Sequence, residues 1–557
     1  MNARRPLYFL VALWSLVLAG LLVHFYPWAN KFDWLNDLRP FVLMLGFASG
    51  LGFFGFFAWK KERGLGAWPL AFLLAYIVWG GLAFIFAEVR SFGFAELLVG
   101  WSMASVFLLF VGENGAKRHM PVALSLTLVV QSILGVFAFL STDHQRFFGL
   151  FYNANIAADA WPNAFALFFL LSFPWLLHFL FLESRRWIFP KALLTGFVLG
   201  TFFMSLSRAG FLAFGIQMLL FAVFLYKDKH YVRPTWKVAV FALLTLLLCA
   251  SATVHGLQTL KIQRGEATSI VDRLEFTEPA GSVSLEERLE FFAGATELIQ
   301  KKPVFGYGPF SFKFVYGTVQ KGFLAISDHP HNILLQIGVN QGVPAIIFFL
   351  GLLAFLFFGN NPFGKEASLI DRTAWAAVLG AMAHSMVDFN FNFLSTTLLF
   401  WLSLSTLAPA KPFSRGLLGT QKALVFVLFA GLILCSALIY KQGRLGEDMV
   451  NHQLLLPRWT LVENGYLEEQ LRYNPYDADA LIQLGRYKEA LAVRPKGDFR
   501  VYLGLDDASF IAFCPQIKSL MEEYLPLYEM NLHYTQAGPQ MGYMQSVQTR
   551  YTALCEY

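Results

Sequence analysis

The sequence predicts an all-α polytopic membrane protein. It has about 12–13 transmembrane helices, a large outer loop and a C-terminal helical tail with a tetratricopeptide-like stretch. Three observations carry that prediction. Hydrophobic residues make up 56% of the 557-residue chain and charged residues 14%, against about 25% charged in soluble domains. Mean hydropathy is +0.52. Apolar stretches near the ~20 residues needed to cross a bilayer recur through most of the chain. Disordered, collagen-like, coiled-coil and disulfide-scaffold classes are excluded for the whole chain. The net charge of +6 is spread among loops and gives no footprint for nucleic acid. Four Cys build neither a disulfide framework nor an obvious zinc site.

Taken in order, the candidate spans are 6–26, 40–59, 67–87, 92–112, 120–140, 161–182, 188–206, 209–226, 238–255, 333–358, 373–390, 391–409 and 423–440. The first follows Arg4 and Arg5 but lacks a small-residue cleavage site, so it reads as a span rather than a removable signal. The pair 373–409 rests on a short polar turn near Asn390. With the N-terminus cytoplasmic, inside segments carry 19 Lys and Arg and the short outside segments carry 5, namely Lys31, Arg39, Arg90, Arg146 and Arg208. That bias sets the orientation and fits an odd number of spans. Four regions follow: spans in 1–255, an outer loop at 256–332, spans in 333–440 and an outer tail at 441–557. The C-terminus is then expected on the outer side of the membrane.

In the tail, DADALIQLGRYKEAL has the small and large apolar spacing of a tetratricopeptide hairpin, in one visible copy. A small helical domain and a degenerate partner-binding array both fit. Cys514 and Cys555 could pair on an oxidising side, a choice that spacing leaves open. Cys249 and Cys435 sit in apolar spans and read as packing residues.

Several segments carry chemistry. Ser205-Leu-Ser-Arg208-Ala-Gly joins two spans with almost no loop. Arg208 there is either a functional intramembrane charge or a snorkelling helix-end residue. In the outer loop, Ser284 and Glu287 form a capping box, so a helix should start at Ser284. Leu285, Leu289, Phe292 and Leu298 would share its apolar face, and it should end at Lys301-Lys302-Pro303. Arg288 in a first turn opposes the helix dipole, which favours a role beyond helix stability. Arg273 is a second basic candidate. Pro303-Val-Phe-Gly-Tyr-Gly-Pro-Phe310 marks tight turns and lacks the third glycine of a dinucleotide fingerprint. Asp328-His329-Pro-His331-Asn332 precedes a span that Gly338, Gly342 and Pro344 should weaken or kink. Two His around a Pro have no partners to complete a metal set. A neutral His suits a general base, and a helix-capping His–Asn pair fits equally. His384 and Asp388, four apart near a span end, face either a cavity or each other. Asn153 and Asn155 precede a span and could bind a sugar or cap a helix. The topology places Arg208, Arg288, His331, His384, Asp388 and Asn155 on one membrane face. Two Arg and a His without a nucleotide loop suit a phosphate-bearing lipid substrate.

The order SLSRAG, ERLEFFAGATELIQKKPVFGYGPFSF, HPHNILLQIGVNQGVP and HSMVDFNF, with FYNANIAADA before a span, resembles the O-antigen ligase and polymerase superfamily over approximately residues 150–400. That superfamily also holds O-linked protein oligosaccharyltransferases. The resemblance implies a GT-C-like, metal-independent, inverting glycosyltransferase with no cofactor. Its donor would be a glycan on undecaprenyl diphosphate. Its acceptor would be a hydroxyl on a glycolipid, a polysaccharide or a protein. By motif, Arg208 and Arg288 would hold the diphosphate and stabilise the leaving group, and His331 would activate the acceptor. Asn155, Asn332, His329, Arg273, His384 and Asp388 would line the substrate. The thirteenth span and the tail depart from a plain ligase and leave the acceptor open. A lipid or solute transporter is the rival reading, disfavoured because the candidates gather at one surface and no internal repeat is visible. A non-enzymatic assembly protein would make Arg208 and His331 dispensable.

Overall fold

A computed structural model describes residues 63–89, 93–111, 114–152, 160–182, 187–227, 235–264, 279–321, 327–364, 367–408, 411–412, 423, 467–468, 471–472, 474–496, 499–530 and 537–556. The expected spans at 6–26 and 40–59, that at 423–440 apart from its first residue, and the candidates Asn153, Asn155 and Arg273 lie outside these.

The protein is an all-α polytopic membrane protein. The first helices are α1 (Ala67–Ile85), α2 (Gly93–Phe110), α3 (Asn114–Leu140) and α4 (Pro162–Leu177, with a π turn to Leu182). There follow α5 (Ile188–Phe203), α6 (Arg208–Lys227), α7 (Trp236–Gln263), α8 (Pro279–Lys301) and the short α9 (Phe312–Val315). Next come α10 (Ile333–Gly359), α11 (Leu369–Ser385) and α12 (Leu394–Leu407). The tail holds α13 (Ala478–Gln483), α14 (Tyr487–Val493), α15 (Phe499–Leu503), α16 (Asp507–Ala512), α17 (Cys514–Met530) and α18 (Ala537–Cys555). A two-residue antiparallel pairing, β1 (Arg63–Gly64) with β2 (Lys411–Pro412), is the only sheet among the described residues. By length and apolar composition, α1, α3, α4, α6, α7 and α10 can each cross a membrane. Each expected span that falls on described residues contains a helix, though in 188–206 it ends at Phe203 and in 373–390 at Ser385.

The chain forms two compact units. One comprises residues 1–77, 98–274 and 348–445. Its core is an aromatic stack in which Phe169 lies parallel to Phe202 at 4.1 Å and Trp175 and Trp375 are fully enclosed. Gln217 of α6 donates to Leu170 O of α4 and Ala376 O of α11, at 2.7 and 3.0 Å. It occupies the space that a side chain at Gly380 would need. Gly196 and Gly200 let α5 approach the backbone of α7. The outward surface of α7 is apolar and exposed along most of its length, as lipid contact requires. α7 also runs past the expected end at 255. Lys261 and Arg264 at its end donate to Thr142 O and Leu140 O, satisfying carbonyls where α3 stops.

The other unit comprises residues 78–97, 275–347 and 446–557. Here α8 corrects the sequence reading twice. It starts at Pro279, five residues before Ser284, because proline suits a first helical turn. Its enclosed face is Phe291, Ala295 and Leu298, whereas Leu289 is 58% exposed. The i, i+4, i+7 set through Phe291 packs on Phe312, Val315 and Tyr316, and Leu298 of the expected stripe belongs to it. Arg288 therefore stands well inside the helix, and the dipole argument for it lapses.

α10 is broken at Gly342, where φ is 80° and ψ 176°. The Pro303–Gly308 turn supplies the missing hydrogen bonds. Val343 N donates to Pro303 O at 2.8 Å instead of to Val339. Tyr307 N takes up Val339 O at 2.8 Å. Gly308 N takes up Asn340 O at 3.0 Å, which Pro344 has no N–H to reach. A side chain at Gly342 or Gly306 would strike the backbone of the opposing segment.

The tail packs around Leu481, Leu491, Phe499, Tyr502, Phe510, Ile517 and Val547. Asp477 caps α13, and Gly485 turns left-handed between α13 and α14, completing the hairpin. Cys514 and Cys555 are disulfide-bonded. Glu88, in the turn after α1, joins the tail to Lys302. Tyr476 Oη donates to Glu88 Oε2 at 2.6 Å, and Lys302 pairs with Oε1. Val493 O lies against Gly317. Burial pushes the Glu88 carboxyl up, but the hydrogen bonds from Lys302 and Tyr476 outweigh it and hold it below the usual carboxylate range.

Candidate functional site

The candidate residues fall on both units, and each set has its own geometry. In the first unit, α5 stops at Phe203 because the chain turns left-handed at Leu206, with φ 49°. Ser207 Oγ then accepts from Gly210 N at 3.2 Å, the bond of an N-cap. A side chain at Gly210 would collide with Ala166, so α6 starts close against α4. Arg208 is the first residue of α6, half-buried, with no acidic residue in that turn. A cation at the positive end of a helix opposes the dipole. The cost argues that Arg208 is placed for something other than helix stability.

Ser205 O accepts from Arg146 Nε at 2.9 Å, and Phe147 N donates to Met204 O at 2.8 Å. Arg146 Nη2 donates to Asn163 Oδ1 at 2.7 Å, and Asn163 Nδ2 donates to Asp388 Oδ2. The SLSRAG turn and the HSMVDF turn are thereby brought together through two residues that the sequence reading did not single out. Arg146 entered only as an outside charge, and Asn163 not at all. The signal available was weak: Asn163 follows a Trp-Pro at a helix start.

His384 and Asp388 are linked differently from the expectation. α11 ends at Ser385, and Asp388 lies in the turn beyond it. Asp388 N donates to His384 O at 3.0 Å, while the carboxylate goes to Asn163. His384 is fully buried.

In the second unit, Asn332 is the N-cap of α10, its Oδ1 accepting from Leu334 N and Leu335 N at 2.9 and 3.1 Å. His331, just before it, is left-handed with φ 52°. Ser327 Oγ donates to His329 O at 2.7 Å and lies 3.1 Å from His331 Nε2. A hydroxyl has one proton. Ser327 Oγ therefore stands between His329 O and the His331 ring, and the tautomer of the imidazole sets which way the second contact runs. Phe291 of α8 stacks on the His331 ring at 5.7 Å and 25°. Arg288 is three residues before Phe291, on the same side of α8 and one turn away. Arg288 and His331 thus come from separate segments to one neighbourhood. His329 is buried, with its ring edge-on to Phe310. Lys313 pairs with Asp328 at 3.0 Å in the same loop. Among the described residues no three His, Cys, Asp or Glu side chains gather as a metal would require.

Leu206, Phe310 and His331 are all non-glycine residues in the left-handed region, each at a cost of order 1–3 kcal/mol. They fall in the SLSRAG, PVFGYGPF and HPHN segments. Such strain persists where surrounding structure imposes it, and it gathers at functional sites.

No curated protein matches the chain. Residues 192–350, which hold Arg208, Arg288, His329, His331 and Asn332, match the family model described as O-antigen ligase, and that match places this segment with the O-antigen ligase and polymerase superfamily.

Proposed function

We propose that the protein is an inverting, metal-independent glycosyltransferase of the O-antigen ligase type. It moves a glycan from undecaprenyl diphosphate to an acceptor hydroxyl on the periplasmic face of the inner membrane. The observation that carries the reading is the O-antigen ligase family match over residues 192–350, a segment that contains His331, Arg208 and Arg288. His331 takes the proton of the acceptor hydroxyl. The acceptor oxygen attacks the anomeric carbon, the bond from that carbon to the diphosphate oxygen breaks, and configuration inverts. The guanidinium groups of Arg208 and Arg288 offer fork-shaped donors to the diphosphate and its developing charge. His329 and Asn332 hold the loop that aims His331. The tail and outer loop would meet the acceptor, a glycolipid core in the leading version and a growing polysaccharide or a protein otherwise.

The test is transfer by purified protein in detergent with a lipid-diphosphate glycan and candidate acceptors. His331→Ala and Arg208→Ala should each lower turnover by on the order of 10²–10⁴-fold, and wild type should ignore EDTA. Full transfer by either variant would remove that residue from the mechanism.

A further inference from the structure

We infer that Arg146 is a positioning residue for Arg208, held by a hydrogen-bonded relay that begins at Asp388. The relay joins four pieces of one compact unit: the turn after α11, the first turn of α4, the loop after α3 and the α5–α6 turn. Asp388 accepts from Asn163 Nδ2, Asn163 Oδ1 accepts from Arg146 Nη2 at 2.7 Å, and Arg146 Nε donates to Ser205 O at 2.9 Å.

The chemistry of the links gives the relay a direction. Asn163 is the one side chain of the three with both a donor and an acceptor end. A carboxylate on one side and a guanidinium on the other fix which way its amide points. Both contacts are charge-assisted, and so stronger than neutral hydrogen bonds. The planar guanidinium spends two different nitrogens on two different segments, which a lysine ammonium cannot reproduce. At the receiving end, Arg146 Nε and Phe147 N take the carbonyls of Ser205 and Met204, immediately before the left-handed Leu206. Strain at Leu206 pushes this turn to relax. The relay opposes that relaxation. Asp388 thereby acts at a distance, through Arg208, rather than on substrate.

The catalytic consequence rests on the transfer reading above, whereas the mechanical link does not, so two readouts separate them. Hydrogen exchange on the full chain in detergent follows the peptide covering 203–211. Arg146→Ala and the near-isosteric Asn163→Asp should both speed exchange there while the interior of α4 stays protected. Unchanged exchange in both variants overturns the inference whether or not the protein transfers glycan. Turnover is the second readout. Arg146→Ala should lower kcat by about 100-fold, the scale of an ångström's misplacement, with acceptor KM little changed. Asn163→Asp and Asp388→Asn should fall together, Arg146→Lys should recover only part, and Arg146→Ala should add nothing to Arg208→Ala. Losses that multiply in the double variant overturn positioning through Arg208, and so does full turnover in Arg146→Ala. A wild type without transfer sinks the functional reading, and the exchange result still decides the link.

Discussion

Ser327 shows what a single hydroxyl can settle. It reaches both His329 and the His331 ring, and so ties two loop positions on either side of Pro330. Ser327→Ala should therefore lower turnover about 10-fold with donor binding retained, since the proposed base remains but the ring is no longer held in place. Equal turnover in steady-state assays would show that the hydroxyl is incidental. The residue types at this site were legible in sequence because His, Arg and Asn in short segments carry chemistry that apolar spans do not need. Their partners were not. Arg146 looked like one more loop charge, and Ser327 like one more polar residue. A hydrogen bond across 59 residues, such as that from Arg146 to Ser205, leaves no local pattern.

Helices show a different division. Apolar length located the spans because it follows from backbone hydrogen bonding in lipid. Boundaries and faces were harder. For α8, the capping-box pattern at Ser284 competed with Pro279, and the helix takes the earlier start. Its apolar residues are too many to define one stripe, so packing chose Phe291 over Leu289. The weakened stretch of α10 was legible from its glycines and proline, but not the turn that repairs it. Gly342→Ala should cost of order 1–3 kcal/mol, because the added carbon meets Val304 O. Thermal unfolding in detergent should show a lower midpoint, and an unchanged midpoint would mean the two segments can separate freely. In the tail, the disulfide closes a 41-residue separation. Cys514→Ser should destabilise that domain by roughly 2–4 kcal/mol, read as earlier loss of helical signal from the tail with the spans intact.

At the scale of the molecule, the paired cysteines fit an oxidising compartment, in keeping with the charge bias of the loops. The tail's attachment through Glu88 carries a charge that titrates. The folded Glu88 carboxyl is depressed below its unfolded value, so its contribution is fully present above the unfolded value near ~4.3. It fades as pH falls through the lower folded value. Proteolysis at the 474–496 hairpin should thus accelerate in acid below about pH 4. Glu88→Gln should be sensitive at neutral pH and lose the acid dependence. Equal rates in wild type and variant across that range would dissociate Glu88 from the attachment.

The substitution of loop bonds for helix bonds at Gly342 has a practical corollary for exchanging parts between related proteins. Residues 303–308 and 339–344 are two halves of one fitting. A chimera that imports either half alone inherits an amide with no carbonyl to meet, or carbonyls with no amide. A chimera that imports both keeps every backbone group matched. Graft junctions in this region therefore belong outside 303–344, and the loop that bears His331 travels with whichever parent supplies the fitting.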